Sequence, residues 1–118
     1  MSAVTMEQVL LAGFQADTDA DKHTELLRSN LGLSAKNRVA RLAMGRSLSE
    51  ATHPSASLIG AGKPIKGDVL FGVEELPLWV GLLFTHLRRV NPRADLTLAT
   101  LQDLVKRHWS RGIPYLMA

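Results

Sequence analysis

Between residues 76 and 87, Leu76, Val80, Leu83, Phe84 and Leu87 recur at three- and four-residue steps, the spacing of one face of an α-helix. Leu78, Trp79 and Leu82 widen that face well past a single stripe, which predicts a helix that is buried centrally or pressed against another subunit. Leu98, Leu101, Leu104, Val105 and His108 predict a last helix, capped by Thr97 or Thr100 and ended by Gly112 and Pro114. Val39, Leu42 and Ala43, with Ala35 and Arg46 extending the stripe, predict a helix that Ser34 caps. Another runs through Leu26 and Leu27 to Asn30, entered at Asp17–Asp21, whose carboxylates suit the positive end of a helix dipole, and stopped by Gly32.

The connections carry weaker signals. The run VLLAGF at 9–14 is too short for periodicity to separate a buried strand from a helix end. Residues 49–62 contain Pro54, three serines and two glycines, the composition of a flexible loop. Residues 64–72 alternate small and β-favouring side chains between glycines, as an ordered loop or a short strand does. Pro92 closes the helix before it. The expected architecture is mainly α: a compact single domain over 1–118 with about four helices, a short N-terminal strand if 9–14 is extended, and a short ordered loop or strand near 64–72.

A chain of 118 residues can bury a real core but is too short for two domains. No cationic leader precedes an apolar run, and no stretch of about 20 apolar residues exists to span a bilayer, so a cytoplasmic location without membrane contact is expected. Cysteine is absent, which removes disulfides, thiolate nucleophiles and cysteine-ligated zinc or iron–sulfur sites together. The net charge of +3 is modest, but its distribution is uneven: −3 over 1–33, +4 over 34–48, −2 over 49–83 and +4 over 84–118. Two basic blocks alternate with two acidic ones.

Motifs for catalysis are incomplete. Gly60-Ala61-Gly62-Lys63-Pro64 has the wrong spacing for a phosphate loop and a proline where a hydroxyl should reach magnesium. His23, His53, His86 and His108 form no metal-binding pair, and Asp17, Asp19 and Asp21 lack the glycine and distal glutamate of a calcium loop. The expectation is no enzyme, no metal and no cofactor.

The basic blocks are the better lead. Lys36, Arg38, Arg41 and Arg46 share one predicted helix without a carboxylate among them, and Lys63 and Lys66 lie in the glycine-flanked segment. Lys106, Arg107 and Arg111 crowd around His108 and Trp109 near a helix end, where cations also compensate the dipole. The four cations of the basic helix, and with them Lys106, Arg107 and Arg111, are expected to contact phosphates of DNA rather than base edges.

In order along the chain, LGLSAKNRVARLAMGRSL, KPIKGDVLFG, WVGLL and KRHWSRGIPYL together resemble the DndE family of the bacterial DNA phosphorothioation, or sulfur modification, system, over about residues 20–116. The resemblance implies a small helical protein, self-associating as a tetramer, that binds duplex DNA with a preference for nicks beside the other proteins of that system. It points to the basic helix and to Lys63 and Lys66. Two alternatives stand beside it. One is a scaffold whose basic blocks bind acidic partner proteins. The other is a ribbon-helix-helix-like regulator, suggested by VLLAGF followed by two helices, although that run has almost no hydrogen-bonding side chain to offer base edges.

Overall fold

Four long helices form where the apolar spacing places them: α2 (Thr18–Asn30), α3 (Lys36–Leu48), α5 (Leu76–Val90) and α6 (Leu98–Met117). The computed structural model describes residues 3–54 and 58–118. Two short helices, α1 (Met6–Leu11) and α4 (Gly67–Phe71), and a two-stranded antiparallel ribbon of β1 (Gly13–Phe14) and β2 (Ile65–Lys66) complete it. The fold is thus mainly α, with two helices more among the described residues than the periodicity predicts.

Local chemistry accounts for most helix starts. Asp17 accepts from the Ala20 amide at 2.8 Å, and Thr97 from the Thr100 amide at 3.2 Å, each satisfying a donor the first turn leaves open. The open question at 9–14 resolves into the end of one helix and the strand after it. Thr5 and Gln8 close a capping box around α1, a T-x-x-Q signal present in the sequence. Leu31 ends α2, and Gly32 follows at φ +67°, as the stop there requires.

Two boundaries differ from expectation. Ser34 makes no cap; Ala35 holds that position without a side-chain bond, and α3 begins where Lys36 Nζ reaches Asp21 Oδ1 of α2 at 2.6 Å. Gly112 and Pro114 do not end α6, which continues through both to Met117. Ile113 is buried, Leu116 packs against the core and the Tyr115 hydroxyl donates to Glu50 at 2.5 Å. Those contacts hold the last turn although Pro114 has no amide hydrogen to give the Ser110 carbonyl.

α3 and α6 form the most extensive helix pairing, around Ala40, Ala43, Met44, Leu101, Leu104, Val105 and Trp109, all essentially inaccessible. Trp109 Nε1 donates to Thr24 Oγ1 at 2.9 Å, so its single polar atom is satisfied inside the core and fixes α2 against α6. The radius of gyration, 13.3 Å, is that of one compact domain of this length, for which about 13.5 Å is expected.

The loop after α3 is tied down where it is described. Arg111 donates to the Ser47 and Thr52 carbonyls, Arg107 to that of Pro54, and His86 Nε2 to that of Glu50 at 2.6 Å. The flexibility expected for 49–62 falls partly on 55–57, which lie outside the described residues. At 64–72 both readings have a share: two residues pair in β2 and the next five form α4.

Candidate nucleic-acid interface

α3 presents its outer side as one wall of a groove, and the start of α5 supplies the other. Leu33, Arg38, Arg41, Leu42, Gly45, Arg46 and Trp79 line a space of about 590 Å³. Three guanidiniums thus converge with no carboxylate among the lining residues.

The three arginines differ in how far the fold engages them. Arg38 is exposed and has no side-chain hydrogen bond or ion pair among the described residues. Arg41 is half-buried and donates to the Leu70 carbonyl at 2.9 Å, while Asn37 donates to that of Val69 at 3.1 Å; between them they satisfy the end of α4. Arg46 lies over the Tyr115 ring, 3.9 Å from its centroid, and 3.5 Å from Glu50.

The absence of carboxylates around these cations holds along the sequence but not in space. Asp21 pairs with Lys36, whose side chain is only 22% exposed, and Glu50 faces Arg46 and Arg111. The Tyr115 hydrogen bond chiefly, then the charges of Arg111 and Arg46, hold the Glu50 carboxyl below its usual range. Arg111 is bound by Ser47 and Thr52, and Arg107 by Asp103 at 2.8 Å. Of the C-terminal basic cluster, Lys106 alone has no side-chain partner among the described residues.

No known protein family, curated protein or solved structure matches the chain. Function is therefore read from the geometry itself.

Lys66 stands opposite Gly13 in the ribbon, and Lys106 shares a shallow depression with Gly13, Gln15, Gln102 and Asp103, so these two lysines approach one edge of the molecule. Lys63 is exposed just before β2. Nine cations expected at a DNA surface thus divide into the α3 groove, the ribbon edge and a set held inside the fold. Arg88, Arg89 and Arg93, which sequence reasoning passed over as the end of an apolar helix and its loop, are exposed as well.

β1 has nothing to offer base edges: Phe14 is buried, Gly13 has no side chain, and the strand is already paired with β2. Among the described residues no three His, Asp or Glu side chains converge as metal ligands, and no helix is long and apolar enough to cross a membrane.

Proposed function

We propose that this chain is a non-catalytic DNA-binding subunit of a bacterial DNA phosphorothioation system, holding duplex DNA, nicked duplex included, through phosphate contacts. The observation that carries the DNA-binding part of this reading is the convergence of Arg38, Arg41 and Arg46 on one groove whose lining contains no acid; the assignment to a phosphorothioation system rests on the sequence resemblance to the DndE family. Guanidiniums so placed bind phosphate bidentately, and each phosphate they neutralise releases condensed counterions whatever the base sequence. Lys63, Lys66 and Lys106 add a second cluster of cations at the ribbon edge.

Arg38→Glu tests it, because that side chain can be reversed without disturbing any internal bond. Affinity for intact and nicked duplex should fall alike for all sequences. The slope of log affinity against log salt should shrink by about 0.9 for each phosphate that a bound subunit no longer neutralises. Adding Arg46→Gln should deepen the loss. If the double variant matches the parent at two salt concentrations, α3 is only a solvated face. The apolar lining of the groove, Leu33, Leu42 and Trp79, favours one second reading, a dock for an acidic amphipathic protein partner. Parent protein that ignores DNA at low salt would decide for it.

The self-association in this reading is drawn from the outer face of α5. Leu78 and Leu82 are 60% and 44% exposed, and a Cβ at Gly81 would meet nothing within 4 Å. An antiparallel pair of α5 helices crossing between Gly81 and Leu82 sets Leu78 opposite Thr85, Glu75 opposite Arg88 and Glu74 opposite Arg89. A tetramer requires a second interface in addition. Glu74→Arg with Glu75→Arg in one chain, and Arg88→Glu with Arg89→Glu in another, should each weaken association alone and restore it when mixed. Light scattering from parent protein that stays monomeric at high micromolar concentration would rule the pairing out.

A further inference from the structure

Trp79 is a half-buried indole lining the α3 groove beside Arg38 and Arg41, with Leu33 and Leu42 as further apolar lining. A phosphate gains nothing from an indole or a leucine. A nucleobase does, because its flat face stacks on an aromatic ring whatever its identity. The indole is held in place: Nε1 donates to Glu75 Oε1 at 3.3 Å, and Cη2 lies 3.9 Å from where a Cβ of Gly45 would stand. The missing side chain at Gly45 keeps the groove open beside the ring.

Inside an intact duplex both faces of every base are covered by neighbours, so an indole reaches a base face there only by wedging the stack apart, whereas an unpaired strand offers its base faces directly. A guanidinium at the same place binds phosphate and also stacks on bases, and Arg38 is free for either. The groove, about 590 Å³ and open to solvent, leaves room for a base to lie against the ring without being enclosed.

We infer that the Trp79 groove is a stacking site for an unpaired base of single-stranded DNA, whose adjacent phosphates Arg38 and Arg41 hold. The inference rests on the phosphate-binding reading of the same groove and adds to it a stacking contact that a strand with free bases can make.

The two tryptophans make the test direct. Trp109 is fully buried in the core, so a change of emission on adding ligand reports Trp79. Oligothymidylate should quench the parent protein saturably, and an abasic oligomer of equal length should bind more weakly without quenching. Trp79→Leu, and separately Gly45→Leu, which fills the groove without altering charge, should weaken oligothymidylate binding roughly 5- to 100-fold. For both variants the loss should be markedly larger for oligothymidylate than for the abasic oligomer, which keeps the phosphates and lacks the bases. Circular dichroism checks the fold of both variants, and the parent's own quenching stands whether or not they fold. Intact duplex bound by the parent, with oligothymidylate neither quenching nor sensitive to these substitutions, overturns the stacking site alone. Failure of the parent to bind either DNA overturns the phosphate reading with it. Quenching by thymidine monophosphate at lower concentration than by the oligomer, or by poly-glutamate instead of DNA, overturns the assignment to a strand.

Discussion

Gly112→Ala is expected to destabilise the protein by about 2 kcal/mol or more, although the same change inside a helix ordinarily stabilises by up to about 1 kcal/mol. The sign reverses because α6 and α3 touch backbone to backbone at this point. A Cβ at Gly112 would overlap the Ala43 carbonyl, and Ala43 itself is fully buried. Relief requires the two helices to move apart, which loosens the packing of Trp109, Met44 and Ile113 together. Gly45→Ala, also in a helix, supplies the contrast: its new methyl would meet the Trp79 ring at 3.9 Å, an ordinary van der Waals distance. Urea unfolding of both variants should show them displaced from the parent in opposite directions. Equal stability of Gly112→Ala and the parent would show that the close approach of α3 and α6 is not a constraint.

Acid should weaken the fold well before the carboxylates titrate. His108 is fully inaccessible, and burial, reinforced by His86, Arg111 and His53, lowers its pKa from 6.5 to about 3. The hydrogen bonds suit the neutral ring: Arg111 Nε donates to Ser47 Oγ at 2.7 Å, leaving the Ser47 hydroxyl to donate to His108 Nδ1 at 2.8 Å. The His86 ring stands edge-on, 4.8 Å between centroids, and His53 is lowered too, again chiefly by burial. Below 6.5 the unfolded chain takes up a proton at His108 that the folded one refuses. The stabilisation is therefore complete above the unfolded pKa and is lost as pH falls from about 6.5 toward about 3. By pH 4 the loss from this one residue is roughly 3 kcal/mol. Thermal unfolding followed between pH 7 and pH 4.5 should show a steadily falling midpoint, and His108→Leu should flatten the fall. A midpoint indifferent to pH over that interval would contradict the buried neutral ring. The carboxyls of Glu25 and Glu50, lowered by their partners Arg28 and Tyr115, add their own loss only at more acidic pH.

The two effects meet at the same helix pair. Ser47 and Arg111 join α3 to α6 on the side that also anchors Thr52, while Gly112 sets how closely the helices approach. The outer side of α3, carrying Arg38, Arg41 and Arg46, takes its position from that packing. A variant that parts the helices should therefore disturb the proposed DNA binding along with stability, whereas Arg38→Glu should disturb the proposed binding alone.

What the sequence by itself determined is the set of long helices and most of their ends. Asp17 and Thr97 cap through bonds to amides three residues away, and the leucines of α5 and α6 follow helical spacing, so both signals lie within one turn or two of the chain. The exclusion of cysteine chemistry and the pair of basic blocks were legible for the same reason, being matters of composition. Tertiary structure decided everything that depends on residues distant in the chain. Periodicity cannot show that Lys36 meets Asp21, that Arg111 is consumed by Ser47 and Thr52, or that Trp79 closes a groove over the arginines of α3. Nor can local propensity carry α6 through Gly112 and Pro114. A glycine and a proline read alone as a stop, and only the buried Ile113, the Glu50–Tyr115 bond and the close approach to Ala43 outweigh their cost to the helix.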